Sequence, residues 1–158
     1  MRRSKGFSLI ELLIVVAIIL IIAAIGIPSL LRSRIAAAES SAVESIRTVN
    51  TAQIAYSSAY PTVGYAANLA DLGGMNCAPP TSNSACLIDN TLAAGQKTGY
   101  TLTLTNVTGT PNSAYNVIAN PNPWGYWGMR YFCSSEDAVV RYSINAMATC
   151  DGTISALQ

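Results

Sequence analysis

Twenty consecutive residues, Leu12–Leu31, carry no charge. A helix rises about 1.5 Å per residue, so a run of this length matches the hydrocarbon core of a bilayer. Arg2, Arg3 and Lys5 precede the run. Basic residues on that side predict a cytoplasmic N-terminus, with the rest of the chain beyond the inner membrane. A secretory signal peptide shares the basic head and the apolar core. Its core is usually about 7–15 residues long and free of carboxylates. This run is longer, begins beside Glu11, and continues into a helical pattern that extends to about Tyr60.

Glu11 is the one charge inside the apolar stretch that follows Phe7. A carboxylate at the centre of a membrane segment is unfavourable by about 2.5–3.5 kcal/mol on insertion scales. A segment whose only task is to anchor has no use for it, which makes Glu11 a candidate functional residue. A glutamate this close to the headgroups can also snorkel to water, which accounts for it in an isolated monomer but not in an assembly.

The N-terminal sequence, MRRSKGFSLIELLIVVAIILIIAAIGIP, resembles that of type IV pilin precursors. The shared pattern is a basic leader, a glycine, a phenylalanine, and a glutamate four residues into an apolar helix. The resemblance implies cleavage between Gly6 and Phe7 by a prepilin peptidase, with methylation of the new N-terminal Phe7. It also implies a partner for Glu11, the α-amino group of Phe7 on a neighbouring subunit. Desolvation limits the net gain from such a pair, so its role is to set register more than to supply bulk stability. The pattern implies three segments: a leader, 1–6; a membrane and filament-spine half-helix, 7–31; and a head, 32–158, that keeps the amphipathic half of the helix.

Beyond Leu31, the residues Ile35, Ala38, Ala42, Ile46, Val49, Ala52 and Tyr56 recur at steps of three or four, one stripe of a helix. Arg32, Arg34, Glu39, Glu44 and Arg47 fall largely on other faces. A helix from Ser8 to about Tyr60 would be roughly 80 Å long. A helix that is apolar all round is covered by lipid or by other helices. Since its own chain offers the first half no core, copies of itself are the natural cover. Gly26 and Pro28 interrupt the run, and a kink or local melting is expected there. The resemblance strengthens this expectation, because pilins with a proline at this place unwind around it in filaments.

Tyr60-Pro61 is expected to end the helix. Residues 61–99 read as a connecting segment rich in Gly, Pro, Asn and Ser, with a short helical turn near 66–72. Four strands are expected at 100–105, 115–119, 129–133 and 139–144. The fold class is therefore α+β: a long N-terminal α-helix packed on a four-stranded antiparallel β-sheet. This arrangement resembles the pilin fold, and the stretch GMRYFCSSEDAVVRYSINAMATCDG also resembles the C-terminal part of many bacterial pilins.

Cys77, Cys86, Cys133 and Cys150 all lie outside the apolar run. An even count in an exported domain points to a disulfide framework with three possible connectivities. The favoured pairs are Cys77–Cys86 and Cys133–Cys150. Each closes a short loop, and in many pilins a link like the second ties the C-terminal region to the sheet. The chain has no histidine, so neither a zinc site nor a Ser-His-Asp or Cys-His centre is expected. Asp89 and Asp151 are too scattered to argue for calcium, and Glu136-Asp137 reads as a hairpin turn. No catalytic residue, metal or cofactor is expected.

Removing the leader leaves six basic against eight acidic side chains, a net of −2. With no basic patch, nucleic acid is not the expected partner. The tyrosines and tryptophans read as packing or interface residues. The sequence thus predicts a non-enzymatic structural subunit. It would sit in the inner membrane as a precursor and enter an extracellular homopolymer with the help of prepilin peptidase and the pilus assembly machinery. A pseudopilin of a secretion or competence system shares the same N-terminus. A membrane-anchored binding module that never polymerises would not need Glu11 or the Gly6-Phe7 junction.

Overall fold

The computed structural model describes residues 7–74 and 77–157. Its longest element is α1, Leu9–Ala59, and the chain divides into two units after Arg34. α1 ends one residue before the Tyr60-Pro61 step, as that dipeptide demands. α1 runs through Gly26 and Pro28 with no melted turn. A single proline removes one N–H and crowds one turn. Gly26 is uncrowded: a Cβ placed there would meet nothing within 4 Å.

The second unit begins at Ile35. It contains the rest of α1, two single-turn helices, α2 (Leu69–Leu72) and α3 (Asn90–Ala93), and one antiparallel sheet. The strands are β1 (Gln96–Lys97), β2 (Tyr100–Gly109), β3 (Asn112–Pro121), β4 (Tyr131–Ser135) and β5 (Arg141–Ser143), in spatial order β1-β2-β3-β4-β5. The class is α+β with five strands, one more than the sequence suggests. β1 is two residues long, joined to β2 through Thr98-Gly99 with φ of 49° and 78°. Two consecutive positive φ values give the backbone twist of a tight hairpin.

The other boundaries shift for local reasons. β2 and β3 pair almost to their shared turn at Thr110-Pro111, so both are longer than expected. β4 starts two residues late because the Met129 N–H and the Arg130 side chain are bonded to Glu39. β5 starts late because the Val139 N–H donates to Asp137.

β3 is central, and Tyr115, Asn116, Val117, Ile118 and Ala119 are all buried. Tyr115, Val117 and Ala119 meet the α1 stripe of Ala38, Ala42, Ile46, Val49, Ala52 and Tyr56. Ile118 lies in the other cluster, with Cys133 and Cys150, covered by Met147 and Ile154. Ile35, the first residue of the expected stripe, is only partly buried. α1 also buries polar side chains, each with a partner. Asn50 donates to Ser134 Oγ (2.9 Å) and accepts from the Tyr115 hydroxyl (3.1 Å). Gln53 accepts from the Ala66 N–H (2.7 Å) and donates to its carbonyl (3.1 Å). Burial pushes the Tyr115 hydroxyl well above the usual tyrosine range, which keeps it a donor.

Candidate functional site

The first unit presents the chain's main unsatisfied surface. Leu12, Leu13, Ile14 and Val15 are all exposed. Successive helical residues turn by about 100°, so four in a row place apolar side chains on every face. Between Phe7 and Leu31, 17 large apolar side chains are exposed. At the low end of about 1.5 kcal/mol for burying each, covering them is worth on the order of 25 kcal/mol. That exceeds the whole folding stability of an ordinary domain, about 5–15 kcal/mol. Such a surface does not persist in water. By length and composition, α1 can cross a membrane.

Phe7 lies just ahead of α1, and its side chain is 70% exposed. Glu11 sits in the first turn of α1 and is exposed. The unpaired N–H groups and dipole of a helix start favour a negative charge there. Phe7 and Glu11 are four residues apart, about 6 Å along a helix. Among the described residues Glu11 has no ion-pair partner. Gly6 and the leader 1–6 lie outside the described residues.

In the head, Cys77 is joined to Cys86 and Cys133 to Cys150. The second link ties β4 to the C-terminal loop over the outer face of the sheet. Asp89 is taken up in local structure, accepting from the Leu92 N–H (2.7 Å) and Lys97 Nζ (2.9 Å). Asp151 accepts from the Thr153 N–H (2.9 Å) and hydroxyl. Asp137 binds Arg141, the Val139 N–H and Ser135, and the Arg141 guanidinium holds its carboxyl down to about 2. Glu136 is exposed on the same turn.

One pair escaped the sequence. Glu39, expected on an outward face of α1, is buried. Its Oε2 accepts from Arg130 Nε (2.8 Å) and Nη2 (2.6 Å), and its Oε1 accepts from the Met129 N–H (3.0 Å). Arg130 also lies 5.6 Å from the ring centres of both Phe132 and Tyr142. A signal was present in Ala38 and Ala42, whose small side chains flank Glu39 and let the sheet approach. The partner, 91 residues away, left none.

Residues 1–27 match the family of the prokaryotic N-terminal methylation motif. Over 34 residues the chain is 68% identical to the type IV wide pilus major component PilA4 of Thermus thermophilus; the match covers 22% of this chain and 26% of that protein. Over 51 residues it is 47% identical to the type IV major pilin protein PilA of Myxococcus xanthus, covering 32% and 23%. The matched segments span about a quarter of the length of these curated relatives. No solved structure matches the chain significantly. In this N-terminal segment, an apolar helix with a glutamate in its first turn and a methylation motif ahead of it, the chain is similar to type IV pilins.

Proposed function

We propose that this chain is a non-enzymatic structural subunit of a type IV pilus. The observation that carries the reading is the all-round apolar surface of α1 between Phe7 and Leu31, opened by Glu11. The precursor is held in the inner membrane through residues 7–31, with the head 32–158 outside. Prepilin peptidase cuts between Gly6 and Phe7, and Phe7 is methylated. The assembly machinery then moves the helix from lipid into a bundle of its own copies, forming an extracellular filament. In that bundle the Phe7 ammonium of one subunit pairs with Glu11 of another. The stretch around Gly26 and Pro28 is where the helix opens in the filament, because neighbours can satisfy the freed backbone groups.

Two measurements test this reading. Intact-mass spectrometry of sheared filaments should give a chain that begins at Phe7 with one added methyl group. A mature N-terminus beyond Gly26 would replace the reading with an ordinary signal peptide. Glu11→Ala should insert normally and assemble poorly, since a buried ammonium without its carboxylate is destabilising by about 3–5 kcal/mol. Normal filament yield from Glu11→Ala alone would contradict the assigned role.

A further inference from the structure

Asn106-Val107-Thr108 is the chain's one asparagine followed two residues later by Ser or Thr with no proline between, the acceptor pattern for an asparagine-linked sugar. The triplet alone says little, since Ser and Thr are common in this chain. Its setting says more. The ladder passes from the Thr105–Asn116 pair to the Thr108–Ala114 pair, so Asn106 and Val107 stand opposite the single residue Tyr115. This is a β-bulge, which leaves an extra residue out of the ladder. Asn106 has a φ of 52°, a left-handed conformation that asparagine tolerates better than most side chains. Asn106 and Thr108 are both exposed. Among the described residues no hydrogen bond holds the Asn106 side chain.

The strand that carries the triplet supplies a second observation. β2 has β3 along one side. On its other side β1 pairs only with Tyr100 and Thr101, and the Leu102 N–H donates to the Gly95 carbonyl (2.7 Å). From Thr103 to Gly109 that edge has no strand beside it among the described residues. Residues 98–129 carry no charged side chain. An open row of strand N–H and C=O groups pairs readily with other chains, and native sheets guard such an edge with charge, proline or a covering element. Leu102, Thr103, Leu104, Thr105 and Val107 instead give this edge a strand-forming, uncharged sequence. The bulge bends the edge at Asn106 but adds no charge. A bulky, hydrated oligosaccharide at that position would supply the missing guard.

We propose that Asn106 carries an oligosaccharide, and that this sugar guards the open edge of β2 against pairing with another copy of the chain. The inference rests on the exported head proposed above, because the triplet is an acceptor in exported proteins. The donor is a sugar joined through pyrophosphate to a lipid. The Asn106 Nδ2 attacks the first carbon of that sugar. The bond from this carbon to the pyrophosphate oxygen breaks, and the lipid pyrophosphate leaves with the electron pair. One amide proton is lost as the N–C bond forms. The Thr108 hydroxyl is the group that the transferase reads beside the amide.

The test uses the full chain purified from its native cells. Trypsin cuts after Lys97 and Arg130, so Asn106 falls in the fragment 98–130, which has no other Lys or Arg to cut at. That fragment should carry the mass of an oligosaccharide, and tandem mass spectrometry should place the first sugar on Asn106. Thr108→Val and Asn106→Gln should each lose the added mass, and Thr108→Ser should keep it. In detergent, both sugar-free chains should form severalfold more sedimenting aggregate than the unaltered chain. Adding Thr103→Lys, which puts a charge on the same edge, should bring the aggregate back down. A bare fragment from chain recovered beyond the inner membrane overturns the proposal and leaves the exported head standing. Sugar that persists in Asn106→Gln sits on a hydroxyl and overturns it equally. If the sugar is lost and no aggregate is gained, the guarding of the edge is wrong. If no chain is found beyond the inner membrane, the exported reading fails and the acceptor with it.

Discussion

Breaking the Glu39–Arg130 pair from its two sides should have unequal consequences. The Glu39 side chain is 8% exposed and that of Arg130 42%. Arg130→Met removes the charge and keeps most of the apolar stem. Glu39 is then left as a buried carboxylate whose remaining donor is the Met129 N–H. Leaving a buried charge unpaired costs about 3–5 kcal/mol. Losing the guanidinium from over Phe132 and Tyr142 adds about 0.5–1 kcal/mol. Glu39→Ala strands less. Arg130 is exposed enough to be rehydrated, so the lost ion pair costs nearer the surface value, about 1 kcal/mol. The Met129 N–H loses its acceptor, worth about 1–3 kcal/mol if water does not replace it. Glu39→Ala should therefore cost about 2–4 kcal/mol and Arg130→Met about 3.5–6 kcal/mol.

The double variant should fall well short of the sum, because the second change removes the charge that the first left stranded. A coupling of about 1–3 kcal/mol is expected for groups in one network. Urea unfolding of the oxidised head, followed by tyrosine and tryptophan emission, measures all three changes. The reasoning is refuted if Glu39→Ala costs clearly more than Arg130→Met. It is equally refuted if the two effects add, since the pair would then not be acting as a pair.

A fragment starting near Arg32 should be soluble, monomeric and folded. Circular dichroism and analytical ultracentrifugation check this, and filaments from the fragment would refute spine packing. Replacing Cys133 and Cys150 by Ser opens a loop with a sequence separation of 17. The loss should be about 3 kcal/mol in the chain-entropy model, read as a lower urea midpoint. Asp137 has its folded pKa depressed to about 2, chiefly by the hydrogen bond from Arg141. A depressed carboxylate stabilises the fold above its unfolded pKa of about 3.9 and loses that contribution as pH falls towards 2. With the Asp137 side chain 41% exposed, screening limits the effect to about 1 kcal/mol. Asp137→Asn should lower stability at neutral pH and flatten its fall between pH 4 and 2, as measured by acid titration of the urea midpoint.

What was legible in the sequence follows the range of the forces involved. The end of α1 was visible because Tyr60-Pro61 acts on the residue beside it. The inward stripe from Ala38 to Tyr56 was visible because helical period is local, as was the alternation of Tyr100, Leu102 and Leu104 in β2. Strand ends were less clear, since hydrogen bonds from distant residues set them: Glu39 stops β4 from starting at Met129. β1 was missed because two residues carry no period, and Thr98-Gly99 is a weaker turn signal than Asn-Gly. The burial of Glu39, Asn50 and Gln53 was missed because a polar residue at a helical position reads as solvated until its partner is known. The exposed apolar half of α1 was the most legible, because there the signal is composition alone.

Two glutamates on the same helix mark the division of labour and supply a paired test of it. Glu39 receives three hydrogen bonds from its own chain, all within the head unit. Glu11 has no ion-pair partner among the described residues and stands at the start of a surface with 17 large uncovered side chains. A buried charge must be matched: Glu39 is matched inside the head, and in the proposed filament Glu11 would be matched by a neighbouring copy. Glu39→Gln should lower the head's urea midpoint in the full chain held in detergent micelles. Glu11→Gln should leave that midpoint unchanged and reduce filament yield. The gap between them comes from folding in one case and association in the other, so the two effects should not be interchangeable. If Glu11→Gln moves the head midpoint as far as Glu39→Gln does, the spine and head are one cooperative unit. The separation of assembly from folding would then be wrong.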